Sequence, residues 1–329
     1  MKTLKILLPI LFALVLLTGC EKSKEEMDKL YNEAQNEIKS GNYKDAFDIL
    51  LDLAEDDHIP SQIAVADMYI NGIGIDKDVN EGINWYKKAA EKGDIGAIIT
   101  LGDIYFNGNG INADVNEGIN WYKKAVEKGD IGAIVTLGDI YFNGKGVNAD
   151  VNEGINWYKK GAEMGDGNLQ NKLGNIYWAG VKVAKNFQEA KYWFEKAANQ
   201  NYTDAYVSLG FIYYTGGYGI NKDLSISAKW FQKAADAGNS DGQYYLGLLY
   251  LMGAGVEEDA SKGYELLKMA ADNGHPQACY EVGRRYLLSS ETYEDYEQGL
   301  KYMQKAAEGG DKRAQEELQR FWINDNYAY

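Results

Sequence analysis

Sorted into apolar and polar positions, the chain from Asp78 onward alternates two helical patterns. Over 78–92, Val79, Gly82, Ile83, Tyr86, Ala89 and Ala90 fall on one stripe at helical spacing. Asn80, Glu81, Asn84, Lys87, Lys88 and Glu91 take the opposite side. The pattern predicts a helix that stops at Gly93, because glycine accepts the left-handed C′ conformation. Gly129, Gly165, Asn201, Gly238, Gly274 and Gly310 hold the same place further on. Asp78 with Glu81 reads as a capping box, repeated as Asp114/Glu117, Asp150/Glu153 and Asn186/Glu189. A second helix is expected over 97–107, with Ala97, Leu101, Ile104 and Tyr105 on its core side, before Gly108 and Gly110 turn the chain. Connections this short make neighbouring helices antiparallel.

The alternation has a fixed period. Residues 78–113 and 114–149 differ only at Ala90/Val126, Ile99/Val135, Asn109/Lys145 and Ile111/Val147, which sets a unit of 36 residues. Trp85, Trp121, Trp157 and Trp193 keep that spacing, Trp230 follows after 37, and Leu266 and Tyr302 continue the phase, with Ile49 one period earlier. A hairpin of this size cannot bury its apolar face alone, so stacked hairpins must share one continuous core.

The string Ala97…Leu101-Gly102…Tyr105…Gly108-x-Gly110, followed by Trp121-Tyr122-x-Lys124-Ala125, resembles the Sel-one-like repeat, a relative of the tetratricopeptide repeat. It returns as Ala133…Leu137-Gly138…Tyr141 with Trp157-Tyr158, and as Ala205…Leu209-Gly210…Tyr213 with Trp230-Phe231. The resemblance covers roughly residues 41–320. It implies an all-α fold, a right-handed α–α superhelical solenoid, and adaptor or assembly work, with no single catalytic motif defining the family. Gly82, Gly118 and Gly154 depart from the family's alanine, each at about 1 kcal/mol of helix propensity. Val65-Ala66 replaces the Leu-Gly pair in the first unit. The expected organisation is a leader at 1–19, a modified cysteine and tether at 20–25, a tetratricopeptide-like hairpin at 26–56, repeats at 57–310 and a C-terminal cap and tail at 311–329.

The leader assignment rests on Lys2 and Lys5, then an apolar run from Ile6 to Leu17 that falls short of the about 20 residues a membrane-spanning helix needs. Leu17-Thr18-Gly19-Cys20 resembles the lipobox of bacterial lipoproteins, which implies cleavage before Cys20 and lipidation of its thiol. Glu21, in place of aspartate, leans toward the outer membrane facing the periplasm in a diderm organism. Loss of Lys2 and Lys5 takes the net charge from -15 to -17, a balance that repels phosphate backbones and sets nucleic acid aside.

Little in the sequence points to bond-making chemistry. His58 and His275 are the only histidines, and no zinc-binding, phosphate-cradling or Ser-x-x-Lys pattern occurs. The Gly-x-Gly pairs at 72/74, 108/110 and 144/146 recur with the unit and read as turns. Cys279 reads as a small buried apolar residue. No cofactor, metal or catalytic residue is expected, and a hydrolase is the weakest of the readings.

A partner is expected on the first helix of each hairpin, which the resemblance places on the concave side. There the registers of 96, 100, 103 and 107 form the least apolar stripe. Asp67, Asp103 and Asp139 make it acidic early, and Phe211, Tyr245, Leu248 and Met252 make it apolar later. One reading is a groove in which the carboxylates steer a basic segment of a protein partner and the apolar patch anchors it. The other is that curvature buries the patch. A second ladder, Ile70, Phe106, Phe142, Trp178, Tyr214, Leu251 and Leu287, has two readings, a sugar-stacking or peptide-binding stripe, or core packing, which the neighbouring Gly102, Gly138 and Gly174 favour. The function expected is a membrane-anchored envelope scaffold, as an assembly factor or an inhibitor of a toxin or enzyme. A cell-wall glycan or peptidoglycan binder using aromatic stacking is the alternative.

Overall fold

The computed structural model describes residues 22–289 and 291–326. The leader and Cys20 lie outside these residues. Among the described residues there are seventeen helices and no named strand, an all-α helical repeat solenoid. The chain divides into two compact units, Met1–Trp157 and Tyr158–Tyr329.

The first unit contains α1 (Lys24–Ser40), α2 (Tyr43–Glu55), α3 (Ile59–Asn71), α4 (Val79–Glu91), α5 (Ile95–Asn107), α6 (Val115–Glu127) and α7 (Ile131–Asn143). The boundary falls within α8 (Val151–Glu163). The second unit continues with α9 (Gly167–Ala179), α10 (Phe187–Ala198), α11 (Thr203–Thr215), α12 (Leu224–Asp236), α13 (Ser240–Met252), α14 (Ala260–Asp272), α15 (Pro276–Ser289), α16 (Tyr293–Glu308) and α17 (Lys312–Asn326). The extra residue between Trp193 and Trp230 sits in the connector after α11, where Gly217 and Ile220 form an isolated two-residue bridge.

Helix ends follow the expected chemistry with one correction. Gly93, Gly129, Gly165, Gly238, Gly274 and Gly310 all have positive φ, and Asn201 does the same at 62°. The amide of Asp94 donates back to the Ala89 carbonyl, closing the C-terminal turn of α4. At the other end, Asp78, Asp114 and Asp150 each accept from the amide of the glutamate three residues on, at 3.0 Å. The reciprocal half of the capping box is not made. The amides of Asp78, Asp114 and Asn186 donate instead to the carbonyls of Tyr69, Tyr105 and Tyr177, in the last turn of the preceding helix. That bond ties each connector shut, and it leaves the glutamates to complement the helix dipole in the first turn.

The apolar ladder lies inside the seam between the two helices of a hairpin. A Cβ on Gly118 would fall 2.7 Å from the backbone nitrogen and Cβ of Phe106, and one on Gly154 would fall 2.6 Å from the nitrogen of Phe142. Gly82 faces Ile70, Gly263 faces Leu251 and Gly299 faces Leu287 in the same way. The glycines that cost helix propensity therefore make room for the ladder, and core packing is the role the structure gives it. Where the ladder residue is Trp178 or Tyr214, the facing register carries Ala190 or Ser227, and the Ser227 hydroxyl donates to the Gly210 carbonyl at 2.8 Å. A second set of glycines accepts aromatic faces: Gly102 meets the Tyr122 ring, Gly174 meets Phe194 and Gly210 meets Phe231. Trp85, Trp121 and Trp193 are buried, and Lys88 and Lys124 lie over the first two rings at 3.4 and 3.5 Å.

Both histidines occupy helix starts. His58 Nδ1 lies 2.8 Å from the Ser61 hydroxyl. His275 Nδ1 accepts from the Ala278 amide while Nε2 faces Asp241 at 3.1 Å. Acceptance at Nδ1 places the proton of the neutral ring on Nε2. Cys279 is fully buried, and its thiol donates to the Ala271 carbonyl. Gln62 and Gln170, at the same register in their units, donate to the equivalent carbonyls of Ala54 and Ala162.

The seam makes a prediction against helix propensity. Gly118→Ala gains about 1 kcal/mol of propensity but overpacks Phe106 at a cost of about 1–3 kcal/mol. Its melting temperature is expected to fall, whereas Asn120→Ala, at an exposed position of the same helix, should hold or raise it. A more stable Gly118→Ala protein would refute the seam.

Candidate interaction face

The stripe identified in the sequence runs along the first helix of each hairpin. In the first unit Asp67 and Asp103 are exposed on α3 and α5, yet each is already engaged. The Tyr86 hydroxyl donates to Asp67 at 2.5 Å and the Tyr122 hydroxyl to Asp103 at 2.6 Å. Burial, and after it the neighbouring carboxylate, holds both phenols far above the ordinary tyrosine range. Asp139 keeps the same register on α7 and is half-buried. Asp67 and Asp103 are thus tied to tyrosines, a role the spacing of the carboxylates alone does not reveal.

The signal was present in the sequence. The register of Asp103 and that of Tyr122 change together, giving Asn175 with Phe194, Phe211 with Phe231, Leu248 with Leu267 and Arg284 with Met303. A carboxylate stands where the facing residue has a hydroxyl to donate, and where it does not the position carries no carboxylate.

In the second unit the four apolar stripe residues divide by depth. Phe211 and Tyr245 meet edge to face with ring centroids 4.5 Å apart. Each lies 5.4 Å from the buried Phe231 ring, Phe211 edge-on and Tyr245 stacked. Leu248 is half-buried beside Tyr245 against the C-terminal core cluster. Met252 is 57% exposed, and Leu288, at the next register along, is 76% exposed. The face therefore has an aromatic floor set into the core and an open aliphatic rim. Below the floor, Tyr245 contacts Tyr244, which stacks on His275 at 4.4 Å. The bond from His275 holds the Asp241 carboxyl below its usual range.

A separate groove of the first unit, about 460 Å³, runs between α1, α2 and α3. Tyr31, Ile38, Ile63 and Met68 line it, and Asp67 stands at its wall. Among the described residues no group of three or more His, Cys, Asp and Glu could hold a metal ion. No helix among them is long and apolar enough to cross a membrane.

Comparison with known proteins gives this architecture its relatives. The family described as Sel1 repeat matches residues 59–94, 97–130, 133–166, 168–202, 203–239, 240–275 and 276–311. No curated protein matches the chain. Among solved structures, c5321 is a protective antigen present in uropathogenic Escherichia coli strains and displays an SLR fold. It is 30% identical across 82% of this chain, with a TM-score of 0.62. The match spans 57% of that protein's own length. A Sel1 repeat protein from Oxalobacter formigenes is 24% identical, covers 90% of this chain and 89% of its own, and overlays with a TM-score of 0.66.

The tyrosine–aspartate pairs are expected to be energetically coupled. A double-mutant cycle of Tyr122→Phe and Asp103→Ala should give about 1 kcal/mol, reduced from the buried value because Asp103 faces solvent. Strict additivity of the two unfolding free energies would show that the pair does not stabilise the hairpin.

Proposed function

The chain belongs to the Sel1 repeat family, and from that premise we propose that it is a lipid-anchored scaffold of the cell envelope holding a protein partner on the α11–α13–α15 face. Repeat scaffolds of this kind serve protein–protein interaction. The observation that carries the choice of face is the open rim of Met252 and Leu288 beside the half-buried Phe211, Tyr245 and Leu248. An exposed aliphatic rim over a rigid aromatic floor gives a partner apolar area to bury at little ordering cost, and methionine adapts to the shape that arrives.

The partner is an apolar protein segment. The acidic balance of the chain and the exposed Asp67 and Asp103 favour basic residues in it, acting through encounter rate more than through contact. Such a partner suits an assembly factor or an inhibitor of a toxin or enzyme. The membrane attachment rests on the lipobox resemblance at Leu17–Cys20, and in a diderm organism Glu21 favours the outer membrane facing the periplasm. Several acyl chains at Cys20 anchor firmly, since each buried CH₂ contributes about 0.8 kcal/mol.

Two measurements test this reading. Cells fed labelled palmitate should yield a labelled chain, and Cys20→Ser should abolish the label and release the protein to the soluble fraction. An unlabelled wild-type chain would end the anchor assignment. For the face, Leu248→Asp and Met252→Asp are better probes than a change at Phe211, which packs against the buried Phe231. Crosslinking capture should recover a protein that the double variant loses by at least 10-fold while its melting temperature is kept. Retention of peptidoglycan fragments, with no protein lost from the variant, would replace the scaffold by the glycan binder.

A further inference from the structure

The α14–α15 pair of the second unit departs from a pattern that most earlier pairs keep. At the register of Arg285 the preceding first helices carry Met68, Ile104, Ile140, Ile176, Ile212 and Leu249. Five of these six are buried, Ile176 being half-buried. At the register of Tyr264 the second helices carry Ile83, Ile119, Ile155, Lys191 and Ala228, and all but Lys191 are buried. In the α14–α15 pair both positions are exposed, and the Arg285 guanidinium lies flat over the Tyr264 ring at 3.3 Å.

The connector explains the opening. After α11 and α13 the connectors run 216–223 and 253–259, and each contributes a branched apolar residue. Ile220 is buried in the core cluster that holds Ala228 and Leu249, and Val256 packs against the same cluster. After α15 the chain reaches α16 across 290–292 alone, and Thr292 stands at the register of Val256 as the N-cap of α16. Among the described residues no branched apolar side chain of this connector closes the end of the seam. What is left is a cavity of about 290 Å³ between α14 and α15, lined by Tyr264, Lys268, Val282, Arg285, Tyr286 and Ser289.

Several polar groups of this cavity are already engaged. Lys268 pairs with Asp272 at 2.8 Å, and Asp272 also accepts from the Tyr302 hydroxyl. The Ser289 hydroxyl donates to the Arg285 carbonyl at 2.8 Å. Tyr286 is held face to face with Tyr302. The Arg285 guanidinium has its ring contact with Tyr264 and no hydrogen bond or ion pair among the described residues. A planar fork fixed on an aromatic face, with its N–H edge free, matches a carboxylate in two parallel hydrogen bonds.

We propose that the α14–α15 cavity is a carboxylate-binding site, in which Arg285 takes the carboxylate and Tyr286 and Val282 take the apolar or ring-bearing body attached to it. The site shares no residue with the Phe211–Met252 face, so either can fail alone. In a chain of net charge -15, an unpaired cation set over a cavity is the local feature that recognises an anion.

The test is calorimetric titration of the full chain with N-acetyl-leucyl-phenylalanine as the free acid, with its amide, and with glucuronate. The variant Arg285→Ile restores the residue type of the other units and should melt at or above the wild-type temperature. Arg285→Lys keeps the charge without the fork. The free acid should bind at least 10-fold more tightly than the amide, lose at least 10-fold in Arg285→Ile, and lose part of that in Arg285→Lys. That pattern with the peptide acid identifies a protein terminus or acidic side chain as the source. The same arginine dependence with glucuronate identifies a sugar acid. Absence of binding by all three probes at millimolar concentration overturns the site, as does equal binding of acid and amide or an affinity that Arg285→Ile leaves unchanged.

Discussion

The close approach of two helices across a glycine is the constraint on which each hairpin depends. Phe106 and Phe142 occupy the space that a Cβ on Gly118 or Gly154 would fill, and Tyr122 lies over Gly102 in the opposite direction across the same seam. Each contact brings a ring or methylene against bare backbone, where packing density is gained at the expense of helix propensity. The trade works because a helix of 13 residues draws its stability from the face it buries more than from its own propagation. The N-cap amide bonded to the tyrosine carbonyl of the preceding helix then fixes where the second helix starts, so the glycine arrives opposite its ladder residue.

Much of this was legible in the sequence because repetition acts as an internal control. The period, the two helices per unit, the left-handed residue at each helix end and the core assignment of the ladder all came from positions that recur in phase. The half-made capping box did not. Asp78-x-x-Glu81 satisfies the local pattern, but the amide that Glu81 would accept is taken by the Tyr69 carbonyl, a partner set by the hairpin turn rather than by local spacing. Motifs defined within four residues say nothing of a competing acceptor brought in by the fold.

The acidic stripe shows the same limit from the functional side. Asp67 and Asp103 were legible as exposed carboxylates, and they are exposed; that each already accepts a tyrosine hydroxyl follows only from the geometry of the facing helix. The half-buried depth of Phe211 and Tyr245 was equally hidden, since a stripe position can turn its ring either outward or down onto Phe231 without any change of register.

Repetition also separates substitutions that serve packing from those that serve something else. When Asp103 gives way to Phe211, Tyr122 gives way to Phe231, and the exchange leaves no polar group without a partner. Ser227 replaces glycine and donates at once to a buried carbonyl. These changes close on themselves. The exchange of a buried aliphatic register for Arg285 does not: it forfeits apolar burial of about 1.5–3 kcal/mol per large side chain and leaves a guanidinium with one face covered and its edge free. A fold has no use for such an edge at a helix seam. A ligand with a carboxylate does, and the cavity opens where the shortened connector lets that ligand in.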